Sequence, residues 1–385
     1  MPSVYLIAGE ASGDALGAGL MQGLKSLSPA TTFAGIGGDA MQHEGMQSLF
    51  PYQELAVMGF WEIVPHIPKF LRLLRETVED IAHKKPDVIV TIDSPGFTFR
   101  LAKMLKKDPR TQHIKRVHYV APSVWAYKSQ RARKAAELFE LLFAILPFEP
   151  PYFEKEGLKT VFVGHPVLMQ PKKGDAMAFR RLHGIAADEK ILLVLPGSRM
   201  GEVRRHLPIF LAAATQLAGV KIAVLAAPQV RDAIKNVVPP EVILCDFAEK
   251  HDAFAAAAMA LSKSGTVTLE LAAAGVATVV AHKVSALSAW LIRRMLLIQY
   301  ASLVNIAVNK EIVPELMQEK CNAAAITDAL KNLMQPEAMQ KQSENIKGAI
   351  SALRGNNRET PGIMGAKAIL SIINEPLSGD IAVNS

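Results

Sequence analysis

Residues 261–275 read LSKSGTVTLELAAAG, a short apolar run that stops at a polar turn and continues into a helix. Ser264 or Thr266 can cap this helix, and Gly275 is placed to end it. The free N–H groups and the positive dipole end at such a helix start suit an anion, most naturally a phosphate. Glu270 comes one turn later, where its carboxylate can accept hydrogen bonds from two adjacent sugar hydroxyls. The pattern predicts a nucleotide-sugar site, and a plain capped helix with a solvent-facing Glu270 stays open as the alternative.

The same order of apolar strand, turn and helix is repeated along most of the chain. This alternation is typical of parallel sheets covered by helices, and it predicts two Rossmann-like, doubly wound α/β domains. A chain of 385 residues is long enough for two such domains. We expect the first domain over residues 1–168 and the second over 176–345, with the polar segment between them as a linker.

The composition limits the partners and the compartment. A net charge of +7 indicates an acidic partner, but the basic residues are not interleaved with stacking aromatics as in nucleic-acid-binding proteins. An anionic membrane surface or a phosphorylated substrate fits better, with a plain solvated surface as the alternative. Cys245 and Cys321 lack metal-ligand spacing and are expected to be reduced, buried thiols of a cytoplasmic protein. We expect neither a membrane span, which needs roughly 18 apolar residues, nor a signal peptide.

Two strand ends in the first half carry candidate functional residues. The glycine-rich loop 9–19 follows a strand at 4–8, and its glycines would let a phosphate approach the backbone or would only allow close helix packing. The loop lacks the G-x-G-x-x-G fingerprint, so a dinucleotide site is a poor match. Asp93 follows the strand at 87–92, at the end where open α/β sheets bind ligands. Its carboxylate could act as a general base, or merely stabilise the start of the next helix.

Basic residues mark two further segments. Arg199 follows a glycine turn at the end of the strand 191–195, well placed for bidentate contact with a diphosphate. No Asp-x-Asp pair occurs in the chain, so the charge of a departing diphosphate would fall to Arg199 and to helix N-termini. The predicted helix 66–84 combines apolar residues at helical spacing with lysine and arginine. It suits a lipid surface, or else forms one core stripe beside a solvated face.

Many short motifs follow one another in a recognisable order. They are Gly9-Glu10-Ala11-Ser12-Gly13-Asp14, Glu54-Leu55-Ala56-Val57-Met58-Gly59, Ile92-Asp93-Ser94-Pro95, His118-Tyr119-Val120, Pro122-Ser123-Val124-Trp125-Ala126, Leu146-Pro147-Phe148-Glu149, Leu195-Pro196-Gly197-Ser198-Arg199 with Glu202-Val203, Ser264-Gly265-Thr266 with Glu270, and Ser302-Leu303 with Asn305. In this order the motifs resemble those of the lipid A disaccharide synthases, inverting glycosyltransferases of the two-domain GT-B type. The resemblance covers nearly the whole chain.

This resemblance implies two Rossmann-like domains that face a cleft, with the last helices, about residues 350–375, returning to the first domain. It implies UDP-2,3-diacylglucosamine as donor and 2,3-diacylglucosamine 1-phosphate as acceptor. The products would be a β-1,6-linked disaccharide 1-phosphate and UDP. Peripheral association with the inner membrane is also implied, and a C-terminally exchanged homodimer is known in the family. No cofactor and no metal are expected.

Roles for individual residues follow from the same resemblance. Asp93 would deprotonate the 6-hydroxyl of the acceptor, so that a single displacement inverts the anomeric carbon. Arg199 would bind the diphosphate of UDP and Glu270 its ribose, while Asn305 would lie near the donor. The other predicted residues are Gly197, Ser198, Ser264, Gly265 and Thr266 for the donor, and Glu10, Ser12, Gly13 and Asp14 for the acceptor side of the cleft.

Three aromatic residues, Phe60, Trp61 and Phe70, are predicted to face acyl chains or the membrane. Two positions depart from the family pattern. Gly96 replaces a common acidic residue, which weakens the case for a second carboxylate that assists Asp93. Val304 replaces a common proline before Asn305, which weakens the case for a rigid loop there.

Two other functions remain open on the sequence. A UDP-sugar 2-epimerase would share donor recognition without a site for acyl chains, and a non-enzymatic sensor would bind a nucleotide-sugar without turning it over. An epimer formed from UDP-N-acetylglucosamine alone would identify the first, and UDP binding without any product would identify the second. A dinucleotide oxidoreductase is disfavoured because the fingerprint glycines are absent.

Overall fold

The structure is a computed structural model that describes residues 1–56, 67–126, 130–285 and 298–374. The chain divides into two compact units. Unit 1 consists of Met1–Met169 together with the chain from Asn356, and unit 2 consists of Gln170–Gly355. Phe60 and Trp61, the predicted lipid-facing pair, lie outside the described residues.

Unit 1 is built around a sheet of six parallel strands in the order β2-β1-β3-β4-β5-β6. Its strands are β1 (Ser3–Ala8), β2 (Thr32–Ile36), β3 (Val88–Ile92), β4 (Lys115–Tyr119), β5 (Leu141–Ala144) and β6 (Lys159–Phe162). Strands β1, β3 and β5 are almost continuously apolar and buried, as expected of parallel strands covered on both faces.

Helices cover both faces of this sheet. They are α1 (Ala11–Leu27), α2 (Asp39–His43), α3 (Gln53–Ala56), α4 (Ile67–Lys84), α5 (Pro95–Lys107), α6 (Gln130–Leu138), α7 (Pro150–Glu154) and α8 (Pro166–Met169). Alternate residues of β1 point into two different cores, because successive side chains of a strand face opposite ways. Val4 and Leu6 pack with α1, whereas Tyr5 and Ile7 pack with α4 and α5.

The strand order of unit 1 changes direction between β1 and β3, which pair with each other while β2 and β4 lie outside them. Open α/β sheets bind ligands outside the carboxyl ends of the strands at such a switch point. Ala8 of β1 lies opposite Ile92 of β3 in the register. The residues that follow, Gly9 and Asp93, therefore leave the sheet side by side.

Unit 2 contains a second sheet of six parallel strands, in the order β12-β11-β10-β7-β8-β9. The strands are β7 (Lys190–Leu195), β8 (Val220–Leu225), β9 (Ile243–Cys245), β10 (Met259–Ser262), β11 (Ala277–His282) and β12 (Glu315–Met317). The helices are α9 (Ala176–His183), α10 (Met200–Ala214), α11 (Arg231–Lys235), α12 (Lys250–Ala256), α13 (Thr266–Ala273), α14 (Leu303–Val308), α15 (Ala323–Leu333) and α16 (Pro336–Arg354).

The switch point of unit 2 lies between β7 and β10, the two strands at which its order changes direction. Leu195 of β7 lies opposite Ser262 of β10 in the register. The turns that begin at Pro196 and Lys263 therefore start next to each other. Both contain residues that the sequence predicts to bind the donor.

The last described helix, α17 (Pro361–Asn374), belongs to unit 1 and packs against α1 in the same core. The two helices meet at glycines. A Cβ atom built on Gly23 would lie 2.3 Å from the carbonyl oxygen of Gly362, and one built on Gly362 would lie 2.1 Å from that of Gly19. Larger residues at Gly23 or Gly362 would therefore overlap backbone atoms. The core of unit 1 is completed by a segment that follows all of unit 2 in the sequence.

Candidate active site

Asp93 lies directly after β3, beside the glycine-rich loop that follows β1. A Cβ atom on Gly9 would lie 2.6 Å from the Oγ of Ser94, so this glycine allows the two loops to touch. The backbone of Asp93 is held from two sides. Its N–H donates to the carbonyl oxygen of Tyr119 at 2.9 Å, and its carbonyl oxygen accepts from the Thr98 hydroxyl at 2.9 Å. These bonds fix the residue at the carboxyl edge of the sheet.

The backbone at this edge is strained. Asp93 and Ser94 have φ angles of 49° and 47°, and Val120, after the neighbouring strand β4, has a φ of 78°. Left-handed conformations are uncommon for residues other than glycine, least favourable for β-branched ones, and cost about 1 to 3 kcal/mol each. Strain of this kind persists only where the surrounding structure enforces it, and it concentrates at functional sites. Three such residues on adjacent strand ends mark this edge as the candidate active site of unit 1.

The carboxyl group of Asp93 is half-buried. Burial raises its pKa above the usual aspartate range, and a hydrogen bond to the backbone of Ser94 opposes this effect more weakly. A raised pKa makes a carboxylate a better proton acceptor, as a general base requires. The local electrostatics therefore suit removal of a proton from a hydroxyl group.

The glycine-rich loop presents two of its predicted residues to solvent. Glu10 and Ser12 are exposed at the start of α1, and the Glu10 side chain makes no capping hydrogen bond. Gly13 is buried against β3, where a Cβ atom would lie 3.6 Å from the carbonyl oxygen of Ile92. Glu10 and Ser12 can therefore meet a ligand beside Asp93, while Gly13 brings the helix close to the strand end.

Asp14, predicted for the acceptor side, is only 6% exposed and points into unit 1. Its Oδ1 accepts from the N–H groups of Gly38 at 2.7 Å and Met41 at 3.1 Å, and its Oδ2 accepts from that of Ala40 at 3.0 Å. These donors lie at the start of α2, so the carboxylate holds that short helix. The structure thus gives Asp14 an internal partner set in place of a surface position.

A second buried carboxylate holds the aromatic loop after β4. Glu149 is 2% exposed and accepts from the Trp125 indole N–H at 3.2 Å and from the N–H groups of Ile145 and Leu146 at 3.1 and 3.0 Å. Burial raises the pKa of Glu149 to about 7, against the smaller lowering by these hydrogen bonds. The sequence contains the motif with Glu149 but no sign of this role, because only folding brings its partners together.

The apolar residues of α4 are buried in its later turns and exposed in its first turns. Its later residues Leu74, Val78 and Ile81 are buried in the core, whereas Ile67 and Leu71 are 43% and 42% exposed. Phe70 is half-buried, with its ring 5.7 Å from that of Phe97. The first turns of α4 therefore keep an apolar surface. In the part of the chain that the structure describes, no helix is both long and apolar enough to cross a membrane.

In unit 2, Glu202 organises the turn Gly197-Ser198-Arg199 after β7. Its Oε2 accepts from the N–H groups of Ser198 at 3.1 Å and Arg199 at 3.4 Å. Gly197 has a φ of 125°, and a Cβ atom there would lie 2.6 Å from the Glu202 carboxylate. The Lys263 Nζ lies 3.0 Å from Glu202 Oε1 and so connects this turn to the one after β10. The Arg199 Nη1 lies 3.5 Å from Glu202 Oε1, and because the Arg199 side chain is 80% exposed a ligand can still reach its guanidinium.

The turn after β10 leads into α13 without a side-chain cap. The prediction that Ser264 or Thr266 caps this helix is wrong, because the N-cap residue is Gly265 and no side chain of the described residues forms a capping hydrogen bond with the first N–H groups. The Ser264 hydroxyl instead donates to the carbonyl oxygen of Ala301 at 3.1 Å. Gly265 and Thr266 are exposed. The first N–H groups of α13 thus lack a capping side chain, as an anion site at a helix start requires.

Glu270 lies one turn into α13 and pairs with Lys250 of α12. The Lys250 Nζ is 3.0 Å from each carboxylate oxygen, and the two side chains are 13% and 21% exposed. The same Nζ lies 4.9 Å from the ring centroid of Phe247, whose side chain is exposed. Lys250 was not predictable from the sequence, because it precedes Glu270 by 20 residues and only packing brings the two together.

Asn305 is fully buried, and its side chain has no free hydrogen-bonding capacity. Its Nδ2 donates to the carbonyl oxygen of Val313 at 2.7 Å and to Glu315 at 2.8 Å, and its Oδ1 accepts from the N–H groups of Ile312 and Val313 at 2.9 Å. An amide side chain offers two donors and one oxygen with two lone pairs. A direct contact between Asn305 and the donor would require one of these bonds to break.

One group of side chains has the composition of a metal site. His183, Cys245 and Glu249 place their ligand atoms within 4.8 Å of one another. His183 Nε2 and Glu249 Oε2 already form a hydrogen bond of 2.5 Å. Burial raises the pKa of the Cys245 thiol to about 12, so this thiol is protonated at neutral pH. A His–Glu pair beside a buried thiol accounts for this group.

Comparison with known proteins decides the family. The sequence model of the lipid-A-disaccharide synthetase family matches residues 4–366. The chain belongs to this family. Two curated relatives bear the name lipid-A-disaccharide synthase. The one from Granulibacter bethesdensis is 40% identical over 97% of this chain and 99% of its own length, and the one from Paramagnetospirillum magneticum is 44% identical over 97% and 98%.

Solved structures agree on the fold of this family member. The crystal structure of the Methanocaldococcus jannaschii UDP-GlcNAc 2-epimerase, in complex with UDP-GlcNAc and UDP, has a TM-score of 0.62 and covers 96% of this chain and 99% of its own. At 13% identity this likeness concerns the fold alone. The predictions of the lipid A disaccharide synthase family, of a glycosyltransferase and of the two-domain α/β GT-B fold are confirmed.

Proposed function

We propose that this enzyme transfers 2,3-diacylglucosamine from UDP-2,3-diacylglucosamine to the 6-hydroxyl of 2,3-diacylglucosamine 1-phosphate. The products are the β-1,6-linked disaccharide 1-phosphate and UDP. Family membership supports the reaction class. The observation that carries the mechanism is the strained, half-buried Asp93 at the switch point of the unit 1 sheet.

In the proposed mechanism Asp93 is the general base. As the acceptor 6-oxygen forms its bond to the anomeric carbon, the proton of the 6-hydroxyl passes to the Asp93 carboxylate. The bond from the anomeric carbon to the diphosphate oxygen breaks on the opposite face, and its electron pair leaves with UDP. A single displacement of this kind inverts the anomeric centre. The raised pKa of Asp93 favours the proton transfer.

Unit 2 is proposed as the UDP-binding domain. The exposed Arg199 guanidinium and the uncapped start of α13, with Ser264, Gly265 and Thr266, would bind the diphosphate and stabilise its developing charge. Glu270 would accept from the ribose hydroxyls, with Lys250 holding its carboxylate in place. The exposed ring of Phe247, whose centroid lies 4.9 Å from the same Lys250 Nζ, would offer an apolar surface for the uracil.

Unit 1 is proposed as the acceptor domain. Glu10 and Ser12 are exposed beside Asp93 and would contact the acceptor sugar. The exposed Ile67 and Leu71 of α4, next to the exposed Arg72, form a surface for acyl chains and acidic lipid headgroups. The enzyme would thus act at the cytoplasmic side of the inner membrane as a peripheral protein.

The substitution Asp93→Asn tests the base. Turnover with the two purified lipid substrates is expected to fall by about 10²- to 10⁴-fold, because the amide cannot accept the proton. The affinity for UDP, measured by calorimetry, should stay within twofold. The matched control is Asp87→Asn at the opposite end of β3, where an exposed carboxylate accepts from the N–H of Ser3 at 2.7 Å. Turnover of Asp93→Asn within a few-fold of the wild type would remove Asp93 from the mechanism.

Vesicle binding tests the lipid surface. The double variant Ile67→Ser with Leu71→Ser should bind vesicles containing anionic lipid about thirtyfold more weakly, since each of the two apolar side chains contributes about 1 kcal/mol when partly buried. The control is Leu182→Ser, which removes a side chain that is 66% exposed on α9 of unit 2. Equal losses for both variants, or no loss for either, would contradict the assignment.

We also propose that two copies can exchange their C-terminal helices. In the present structure α17 packs on α1 of its own chain through Gly23 and Gly362. The same contact formed with α17 of a second copy would give a homodimer without a new interface. Light scattering on the wild type over a range of protein concentrations tests this, because the fraction of an exchanged dimer should rise with concentration. A wild type that stays monomeric at all concentrations would contradict the proposal.

A further inference from the structure

Glu315, the first residue of β12, accepts hydrogen bonds from three donors in the segment 301–305, which contacts the turn before α13 through Ser264. Its Oε2 accepts from the N–H of Ala301 at 2.7 Å. Its Oε1 accepts from the N–H of Ser302 and from the Asn305 Nδ2, both at 2.8 Å. Both carboxylate oxygens are therefore used to hold the start of α14. No role was expected for Glu315 from the sequence.

The peptide unit between Ala301 and Ser302 links this group to Ser264. The N–H of that unit, on Ser302, donates to Glu315, and its carbonyl oxygen, on Ala301, accepts from the Ser264 hydroxyl at 3.1 Å. Polarisation along such a chain strengthens each bond. A single peptide unit thus connects the half-buried Glu315 carboxylate to Ser264 in the turn before α13.

Asn305 stands on the other side of the same carboxylate. Its side-chain amide bonds Glu315 and the backbone at 312–313, so it fixes the strand entry from which Glu315 projects. Because Asn305 is fully buried and its amide is saturated, its influence on the donor must pass through these partners. Consecutive hydrogen bonds connect Asn305 to Glu315, Glu315 to the 301–302 peptide, and this peptide to Ser264.

We propose that Glu315 is a positioning residue for donor binding. By fixing the 301–302 peptide it anchors the Ser264 hydroxyl and, through it, the turn that leads into α13, and so holds the first N–H groups of the helix in place for the diphosphate. Asn305 acts through Glu315 and makes no contact with the donor. This inference rests on the proposed function, in which the turn Ser264-Gly265-Thr266 binds UDP.

The test begins with Glu315→Gln, which preserves shape but turns an NH₂ group toward one of the backbone N–H donors and breaks that bond. The dissociation constant for UDP, measured by calorimetry, should rise about tenfold, while the turnover number at saturating donor changes less than threefold. The matched control is Glu311→Gln, an exposed carboxylate of the same loop that accepts from the N–H of Glu315 at 3.1 Å. It should change UDP affinity less than twofold.

A double variant shows whether the effect passes through Ser264. Ser264→Ala alone should also weaken UDP binding, and adding it to Glu315→Gln should weaken binding no more than a further twofold, because the link is already broken. A merely structural role for Glu315 would give losses that multiply. Multiplied losses, or a Glu315→Gln enzyme that binds UDP as the wild type does, would overturn the proposal.

Two further measurements keep the test decisive. If circular dichroism shows that Glu315→Gln does not fold, Ser264→Ala serves in its place, because it removes the half-buried hydroxyl that bonds to Ala301. A Ser264→Ala enzyme that binds UDP within twofold of the wild type would overturn the inference. Arg199→Met, which removes a proposed direct contact, separates this inference from the proposed function. If neither the wild type nor Arg199→Met binds UDP, the proposed function is wrong. If Arg199→Met loses affinity for UDP and Glu315→Gln keeps it, the proposed function stands and the positioning role of Glu315 is wrong.

Discussion

Replacing Asp14 by asparagine tests whether this residue serves the fold or the substrate. The carboxylate accepts three backbone hydrogen bonds at 2.7 to 3.1 Å. Asparagine keeps one acceptor oxygen but turns its NH₂ group toward the N–H of Ala40, and the remaining bonds lose their charge assistance. Hydrogen bonds to charged groups contribute about 1.5 to 3 kcal/mol, and neutral ones about 1 kcal/mol. We expect the free energy of unfolding of unit 1 to fall by about 2 to 4 kcal/mol.

The assay for Asp14→Asn combines calorimetry with initial rates. A loss of this size lowers the unfolding temperature by about 5 to 15 °C in a domain of this length. At 20 °C, below the transition, kcat/KM should stay within threefold of the wild type. Glu10→Gln is the matched control, because Glu10 is exposed in the same loop and its side chain caps nothing. It should leave stability within about 0.5 kcal/mol and, if Glu10 contacts the acceptor, lower the rate.

The reverse result for Asp14 would refute this reasoning. If Asp14→Asn unfolds at the wild-type temperature while turnover drops about a hundredfold, the carboxylate meets the substrate. The three hydrogen bonds to α2 would then have to exchange for substrate contacts during the reaction. Unfolding followed by two probes, one in each unit, ensures that the loss is assigned to unit 1.

Three more predictions follow from other buried contacts. Burial raises the pKa of Glu149 to about 7 in the folded protein, so the protonated carboxyl group stabilises the fold at low pH and this contribution is lost as the pH rises through 7. The free energy of unfolding of Glu149→Gln, relative to that of the wild type, should therefore increase by about 2 to 3 kcal/mol between pH 5 and pH 8. Urea unfolding at several pH values checks this, and parallel curves would contradict it. Gly23→Ala should destabilise unit 1 by about 1 to 3 kcal/mol in thermal unfolding, because the new methyl group overlaps the backbone of α17. The control Gly19→Ala should be neutral or stabilising, because a Cβ atom at Gly19 meets nothing within 4 Å. Lys250→Met should raise the dissociation constant for UDP about tenfold by releasing the Glu270 carboxylate; unchanged binding in calorimetry would detach Glu270 from the ribose.

The strands and the positions of the strand ends were predictable because buried parallel strands are locally continuous apolar runs. The predicted strand at 4–8 is observed at Ser3–Ala8, and the predicted strand at 191–195 at Lys190–Leu195. The carboxyl ends of these strands follow directly from their bounds, so Asp93 and Arg199 could be placed at sheet edges without knowing the fold in detail. The family motifs then supplied the order of the two domains.

Side-chain partners were not predictable, because they depend on contacts between distant segments. Ser264 has the residue type and position of a helix cap, yet its hydroxyl bonds to Ala301, 37 residues later. Asp14 stands in a motif that suggests the substrate, but the pitch of α1 turns it toward α2. Lys250 gave no local signal, and Glu202 appeared only as part of a motif that assigned it no role. Local chemistry therefore predicts where a site lies, and tertiary contacts determine which side chains are left to use it.

The position of α17 has a consequence for how the protein is made. The core of unit 1 needs this helix, yet all of unit 2 is translated before it. At about 5 to 20 residues per second, the ribosome takes tens of seconds to cross that stretch. Until then the apolar face of α1 around Leu20 and Leu24 stays uncovered and open to chaperones or proteases. A chain cut short after unit 2 would contain all of the unit 2 sheet but would leave the core of unit 1 unfinished.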